Sequence, residues 1–270
     1  MIGLRLSLFY ATYFGMVGIM LPFFPVWLLS KGVSAAEIGL ILGSATFARI
    51  IFNPIIGQIA DLYGTRQPII FILAVLSSLC FSSYFIVDGF WMIILVTIIF
   101  NGFWSGMQPL AESLTMLSLK QVKIDYGRVR LWGSIAFILT ALIAGKIIGI
   151  KTDHLILILI FLFTNLMIVV TLFLPKVKTK ISIIPQYPLS QLFRNYGLII
   201  VIFSAALIQS SHALYYSFGS IHWKTLGFSS TAIGLLWAEG VVAEIILFSF
   251  GAYILRWIGA LNLIFLGGFL

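Results

Sequence analysis

Apolar runs long enough to cross a bilayer recur along the whole chain. Each run holds about 20 residues, the length of a helix that spans the hydrocarbon core. The chain is 61% hydrophobic and 9% charged, whereas a soluble domain carries roughly 25% charged residues. The runs show no strand-like alternation, and lipid offers no hydrogen-bond partner to an open backbone. We therefore predict an all-α integral membrane protein.

The sequence predicts eight full spans and the start of a ninth near Ala260. Ser34 and Glu37 show the pattern of a capping box where the second span begins. The first span does not end in the small-residue cleavage site of a signal peptide, so we expect it to remain in the mature chain. The eight full spans are Leu6–Leu29, Ile38–Ala60, Pro68–Val87, Phe90–Leu117, Leu131–Ile150, Leu155–Leu174, Leu198–Gly219 and Ile233–Leu255.

Lysine and arginine are distributed unevenly over the two sides of the predicted membrane. With the N-terminus inside, the cytoplasmic segments hold eleven of these residues and the external loops hold four. Positive residues accumulate on the cytoplasmic side, so we expect a cytoplasmic N-terminus. The positive charges are spread over short loops and form no dense tract, so the formal net charge of +8 predicts no nucleic-acid partner.

A polar, basic stretch from Pro175 to Asn195 follows the sixth span. We predict a six-helix N-terminal bundle in residues 1–174, a cytoplasmic linker in 175–195 and an incomplete C-terminal bundle in 196–270, with two full spans and the start of a third. The segments "GQIADLYG" and "GAYILRWIG" each follow the second span of their bundle and form a weak internal repeat. Two related bundles are typical of secondary transporters.

Ionisable side chains inside a span are costly unless they face a cavity or a partner, so they are candidates for function. Arg49 lies about twelve residues from the cytoplasmic end of its span, roughly 18 Å along a helix, which is beyond easy snorkelling. The full set inside or at the edge of the predicted spans is Arg49, Glu112, Arg130, His212, Glu239 and Glu244.

Purely structural roles are open for three of these residues. Arg130 can snorkel to the cytoplasmic interface. His212 can serve as a hydrogen-bonding residue between helices. Glu244 lies five residues beyond Glu239, on a different part of the helix surface, and can be structural.

The segment "GQIADLYG" ends the second span with a turn. Gly64 permits a tight turn, and Gly57 permits close approach of a second helix. Asp61 can accept hydrogen bonds from the turn and can pair with Arg66. We interpret these four residues as a gating hinge and not as a substrate site.

Several kinds of chemistry have no signature in the sequence. It contains no Gly-Lys-Ser/Thr phosphate loop, no His/Cys/Asp cluster with metal-ligand spacing and no serine elbow. We therefore predict no enzymatic activity, no cofactor and no metal. The expected partners are the lipid bilayer, a small-molecule substrate and protons.

Several motifs resemble those of a known transporter superfamily. "GQIADLYGTR" resembles the loop signature of the major facilitator superfamily, with Leu62 where a basic residue is usual. "PFFPVWL", Glu112 and "DYGRVRLWG" resemble the galactoside/proton symporter branch. "SSHALYYSFGSIHW" has no acid, unlike the sugar permeases. With Arg49 and "WAEGVVAE", it is more similar to the 3-phenylpropionate permease family.

The resemblance implies a major facilitator-like fold in a bacterial-type inner membrane, with site residues at matching positions. Glu112 and Arg130 match the substrate-binding charge pair, and Phe137 matches the aromatic residue that stacks on the substrate. Arg49 is a further candidate for holding an anion. Glu239 is the expected proton carrier, His212 is a possible relay, and Glu244 is its rival on the same helix.

The expected function is proton-coupled symport of a small organic solute. Two arginines favour an aromatic carboxylate such as 3-phenylpropionate, because a guanidinium holds a carboxylate in a two-pronged fork. Phe137, Tyr215 and Tyr216 can supply a stacking wall, although packing alone also explains them. A sugar or nucleoside is the alternative substrate. A truncated, non-transporting membrane remnant is the alternative of a different class.

Overall fold

The computed structural model describes residues 2–119, 125–148, 154–177 and 194–269. Within these ranges the chain forms ten α-helices, one short 3₁₀ helix and no strand. The α-helices are α1 Ile2–Ser30, α2 Ala35–Tyr63, α3 Gln67–Ser82, α4 Phe90–Leu119, α5 Tyr126–Ile148, α6 His154–Leu172, α7 Tyr196–Ser211, α8 Ala213–Thr225, α9 Ser230–Ile258 and α10 Ala260–Phe269. The 3₁₀ helix is Ser83–Phe85.

The predicted all-α membrane fold is confirmed. Seven helical stretches of the described residues are long and apolar enough, by length and composition, to cross a membrane. They are α1 to α6, with the 3₁₀ helix continuing α3, and the combined stretch Tyr196–Thr225. The eighth predicted span corresponds to α9, whose apolar first half covers Ser230–Ala243. Most helices extend beyond the predicted spans, because a helix continues into the polar region after its apolar run ends.

The seventh predicted span lies within the apolar stretch Tyr196–Thr225, which consists of two helices. α7 ends at Ser211, and His212 separates it from α8. The His212 ring nitrogen Nδ1 lies 2.9 Å from the Ile208 carbonyl oxygen. The ring nitrogen thus bonds to the carbonyl oxygen that would accept the His212 backbone N–H in a continuous helix. That N–H donates to the Ser210 carbonyl oxygen instead.

The capping box predicted at the start of α2 is present. The Ser34 N–H donates to Glu37 Oε2 at 2.8 Å, and the Glu37 N–H donates to Ser34 Oγ at 3.4 Å. At the other end, Gly64 has a φ of 63° and its N–H bonds to the Ala60 carbonyl at 3.1 Å. A residue with a side chain rarely adopts this left-handed backbone conformation, so glycine at this position ends the helix.

The first six helices pack into one bundle. α1 contacts α5 and α6, α2 packs along α4, and α3 packs on α4 and α6. Large side chains of α1, including Phe9, Tyr10, Phe23, Phe24 and Trp27, are buried. Phe52 and Ile56 of α2 pack at Gly102 and Gly106 of α4, where an added Cβ would lie 2.7 and 2.5 Å from them. The small residues therefore let these two helices approach closely.

α5 also packs against α9, and this contact joins the first six helices to the later ones. A Cβ on Gly145 would lie 2.6 Å from the Ser230 carbonyl oxygen, and a Cβ on Gly234 would lie 2.5 Å from the Ala141 carbonyl oxygen. The two backbones therefore touch. This contact lies at the end of α5 and the beginning of α9, and the two helices enclose a cavity on one side of it. Residues 178–193 of the predicted linker lie outside the described residues.

Candidate functional site

A cavity of about 430 Å³ lies between α1 and α5 on one side and α7, α8 and α9 on the other. This volume is within the range of small-molecule sites, roughly 300–1,000 Å³. Aromatic rings and a few polar groups line it, among them Phe14, Arg130, Phe137, His212, Tyr216 and Trp237. Of the described residues in its wall, Arg130 alone carries a permanent charge. The cavity is therefore mostly apolar, with one cationic group.

The Arg130 guanidinium lies over an aromatic ring. Its central carbon is 3.7 Å from the centre of the Phe14 ring and 5.8 Å from that of Tyr10. Gly133 leaves room for this arrangement, because a Cβ there would lie 2.7 Å from Phe14 Cδ2 and 2.9 Å from Arg130 Nη1. Within the described part of the chain, no carboxylate oxygen lies within 4.0 Å of the guanidinium. Among the described residues, its charge therefore has an aromatic partner and no anionic one.

The wall on the α8 and α9 side is a cluster of rings. The Trp237 ring lies 5.8 Å from Tyr216 in a stacked arrangement and 5.0 Å from Tyr215. The Trp237 indole N–H donates to Ser220 Oγ at 2.8 Å, which fixes the ring. Phe137 of α5 is buried in the opposite wall. The cavity can thus hold a flat apolar group between aromatic surfaces.

His212 contributes the imidazole of the cavity wall. A carbonyl oxygen only accepts hydrogen bonds, so the 2.9 Å contact with Ile208 assigns the proton to Nδ1 of the neutral ring. Nε2 is then the nitrogen that can accept a hydrogen bond or a further proton. The His212 ring is 5.8 Å from that of Tyr216. The break between α7 and α8 thus places a titratable group in the same cavity as Arg130.

Glu112 and Arg130 do not form a salt bridge in the described structure. It is half-buried on α4 and accepts a hydrogen bond from Gln108 Nε2 at 3.2 Å. It does not line the cavity. The physical reason is that each charge has a different neighbour: the guanidinium lies against Phe14 on α1, and the carboxylate is bonded to an amide one turn earlier on its own helix.

Arg49 is also outside the cavity. It is exposed on α2, and its Nη2 donates to Asn101 Oδ1 on α4 at 3.2 Å. One turn along, Ser105 Oγ donates to Asn53 Oδ1 at 2.9 Å. Arg49 therefore takes part in a polar contact between α2 and α4.

The structure describes the side chain of one of the two acidic candidates on α9. Glu239 is exposed and does not line the cavity, although its neighbours Trp237 and Gly240 do. Glu244 belongs to the helix, but its side chain lies outside the described part of the structure. His212 is therefore the predicted proton-coupling residue that the described structure places in the same cavity wall as Arg130.

The turn after α2 has the geometry that its sequence indicates. Arg66 Nη2 donates to Asp61 Oδ1 at 3.2 Å, and Gly64 turns the chain between them. Gly57 differs from the prediction, because no described atom lies within 4 Å of a Cβ placed there. The expected close approach of a second helix at Gly57 is thus absent from the described structure.

Phe14 and Trp237 are cavity residues that the sequence analysis missed. The chain contains 24 phenylalanines and 7 tryptophans, so a single ring has no distinguishing signal. Phe14 becomes identifiable only once α1 is known to lie against Arg130. Among the described residues, no group of three His, Cys, Asp or Glu side chains is arranged to hold a metal ion.

The sequence and the fold both match known transporters. A profile described as "MFS_1 like family" matches residues 3–270. A "Probable 3-phenylpropionic acid transporter" of Escherichia coli (strain K12) is 33% identical over 257 residues, covering 93% of this chain and 67% of its own. A maltose permease of Geobacillus stearothermophilus is 29% identical over 150 residues, covering 54% and 36%.

Among solved structures, a mutant of the nucleoside transporter NupG superposes with a TM-score of 0.82 at 16% identity. The match covers 96% of this chain and 69% of the NupG chain. The chain thus spans about two thirds of the length of the Escherichia coli relative and of NupG. It is a multi-pass membrane protein that belongs to the MFS_1 like family of transporters.

Proposed function

We propose that this protein is a secondary active transporter that moves a small aromatic carboxylate, such as 3-phenylpropionate, together with protons. The observation that carries the proposal is the combination in one cavity of facing aromatic walls and an arginine that has no carboxylate within 4.0 Å among the described residues. An aryl carboxylate has the two complementary parts, a flat apolar ring and a planar anion. The relative described as a probable 3-phenylpropionic acid transporter supports the same substrate class.

The charge of the site favours an anion. A guanidinium in a largely apolar cavity is stabilised by an anion that accepts two parallel hydrogen bonds from its edge. In the described structure no carboxylate of the protein occupies that edge within 4.0 Å. We expect Glu112 and Arg49 to contribute less to substrate binding, because both are bonded to amides outside the cavity.

A sugar or a nucleoside is the alternative substrate. The maltose permease and NupG relationships support it, and aromatic rings also stack on sugars and bases. A sugar needs many hydrogen-bond partners, however, and the described cavity wall is dominated by rings and aliphatic side chains. The wall therefore favours the aryl carboxylate.

Proton coupling is the second part of the proposal. Glu239 is the expected carrier because it is an acid within a span, Glu244 is its rival, and His212 is a relay at the cavity wall. Coupling needs protonation and substrate binding to favour each other, and that effect is reciprocal. The Asp61–Arg66 turn serves as part of the gate, with Gly57 and Gly64 as its small residues.

The orientation of the protein in the membrane and its division into bundles are further proposals. We infer a bacterial inner membrane with the N-terminus in the cytoplasm, supported by the lysine and arginine distribution and by bacterial relatives. We also infer two bundles, in residues 1–174 and 196–270, joined by the linker 175–195. A non-transporting membrane remnant is the competing proposal of a different class.

Equilibrium binding to the purified protein in detergent tests the substrate class. We expect 3-phenylpropionate to bind more tightly than its neutral analogue 3-phenylpropionamide, and both to bind more tightly than maltose or a nucleoside. Arg130→Lys should weaken acid binding about tenfold, because lysine lacks the planar fork. Glu112→Gln should have a smaller effect.

Three results would contradict the proposal. Preferential binding of maltose or a nucleoside would favour the alternative substrate class. Unchanged acid affinity in both Arg130→Lys and Glu112→Gln would remove the assigned site and leave Arg130 with an interfacial role. Binding without uptake into vesicles would favour the remnant over the transporter.

A further inference from the structure

We propose that Phe14 is a positioning residue that holds the Arg130 guanidinium flat and leaves its charge available to the substrate, and that Gly133 provides the space for this. The inference rests on the proposed function, since it concerns the same cavity. It adds two residues, one on α1 and one on α5, that act through Arg130.

The distance between the two groups restricts the orientation of the guanidinium. The Arg130 central carbon lies 3.7 Å from the centre of the Phe14 ring. At this separation, close to van der Waals contact between carbon atoms, a planar guanidinium fits only with its face against the ring. Its N–H groups all lie in its own plane, so this contact uses the face and leaves the edges free.

The choice of partner matters as much as the orientation. A carboxylate would hold the guanidinium equally well, but it would occupy the hydrogen-bonding edge and neutralise the charge. A phenyl ring attracts the cation through its face and carries no net charge. The arginine is therefore held in place while this contact leaves its hydrogen-bonding edge to an incoming anion.

Gly133 makes this arrangement sterically possible. A Cβ at that position would meet Phe14 Cδ2 at 2.7 Å and Arg130 Nη1 at 2.9 Å. Both distances are too short for a carbon atom, so any side chain would displace the ring or the guanidinium. Tyr10, one turn before Phe14 on α1, lies 5.8 Å away and offers only a distant second ring. Phe14 and Gly133 therefore determine where the guanidinium lies.

The test compares a charged ligand with a neutral ligand of the same shape. Phe14→Leu removes the ring face and keeps an apolar side chain, Phe14→Tyr keeps the face, and Gly133→Ala adds one methyl group. The matched controls are Phe103→Leu, a half-buried ring packed on Phe52, and Gly43→Ala, where no described atom lies within 4 Å of the new Cβ. Dissociation constants are measured for 3-phenylpropionate and 3-phenylpropionamide in detergent.

We expect Phe14→Leu and Gly133→Ala to weaken binding of the acid about tenfold, the scale of one desolvated cation–π contact. Binding of the amide should change by less than about twofold. Phe14→Tyr should restore acid binding, and both controls should bind both ligands as the parent protein does. In an Arg130→Lys background, Phe14→Leu should have little further effect, because the group that it positions is absent.

The outcomes separate this inference from the proposed function. Equal losses for acid and amide in Phe14→Leu would mean that the ring contacts the substrate directly and would overturn the positioning role. Unchanged acid binding in Phe14→Leu and Gly133→Ala would overturn it as well. A parent protein that binds neither ligand would refute the proposed function, and this inference with it. If either variant fails to fold, the other variant and the Phe14→Tyr comparison still decide.

Discussion

At the scale of single residues, three of the charges inside spans have neutral partners. Arg49 bonds to the Asn101 amide, Glu112 bonds to the Gln108 amide, and Arg130 lies on a phenyl ring. Amides and rings lower the cost of a charge away from water without cancelling it. A charge that is not cancelled can still respond to a substrate or a proton.

The proton carrier can be tested at this scale in vesicles with an imposed pH gradient. We expect Glu239→Gln to abolish uphill accumulation of 3-phenylpropionate while exchange across the membrane survives, because exchange needs no net proton movement. His212→Gln should slow accumulation without abolishing it, as expected of a relay.

The matched variants decide between the candidate groups. If accumulation persists in Glu239→Gln and is lost in Glu244→Gln, the proton is on the other carboxylate. Loss in His212→Gln alone would make the imidazole the carrier. If all three variants accumulate substrate, the protein is not a proton symporter through these residues.

The sequence predicts single site residues only in part. Arg130 and Phe137 lie in the cavity wall. A cationic residue in a hydrophobic chain is a clear signal in the sequence. The partner of each charge was not predictable, because it depends on which helix lies alongside. Arg49 looked like an anion site until the structure placed Asn101 beside it.

At the scale of elements, α2 and α4 form a contact built on repeated four-residue spacing. Gly102 and Gly106 receive Phe52 and Ile56, and two hydrogen bonds, Arg49 to Asn101 and Ser105 to Asn53, run between the same helices. Residues four apart lie on one helix face. Packing and hydrogen bonding therefore act along one seam.

The close packing of α2 on α4 predicts how a substitution at Gly102 changes the free energy of unfolding. Gly102→Leu should lower the free energy of unfolding by about 1–3 kcal/mol, because the new side chain meets the Phe52 ring at less than contact distance. Thermal unfolding in detergent, followed by tryptophan fluorescence, measures it. Gly57→Ala is the matched control, since space is open there and no destabilisation is expected from crowding. Equal melting temperatures for Gly102→Leu and Gly57→Ala would contradict the packing described.

The sequence predicts helices better than breaks within them. Apolar length located the seven stretches that are long and apolar enough to cross a membrane, and the capping box and Gly64 located both ends of α2. The interruption at His212 was missed because it depends on a side chain taking a carbonyl from its own helix. Serine and histidine are compatible with both a helix and a break, so these residue types do not distinguish a continuous helix from an interrupted one.

At the scale of the whole molecule, membrane topology is the testable property. In a Cys80→Ser background, which removes the single cysteine, we expect Asp88→Cys to react with an impermeant thiol reagent in intact cells. Lys176→Cys, after the sixth span, should react only once the cells are opened. Both parent residues are exposed, so differences in labelling report the side of the membrane. Labelling of Lys176→Cys from outside would overturn the proposed orientation.

Helix packing is the part of the architecture that the sequence could not predict. In a soluble protein, the apolar face of a helix identifies the core. Here lipid is as apolar as the interior, so α2 and α6 are apolar on faces that the structure leaves exposed as well as on buried ones. The pairing of α5 with α9 depends instead on Gly145 and Gly234, which are only two of 24 glycines.

The backbone contact between α5 and α9 has a consequence for leakage. The cavity extends from the level of Arg130 to that of Phe137, and the contact at Gly145 and Gly234 lies beyond it. A barrier made of side chains opens briefly whenever a rotamer changes. A contact between two backbones has no rotamer to change, so the path between α5 and α9 stays closed until the two helices separate.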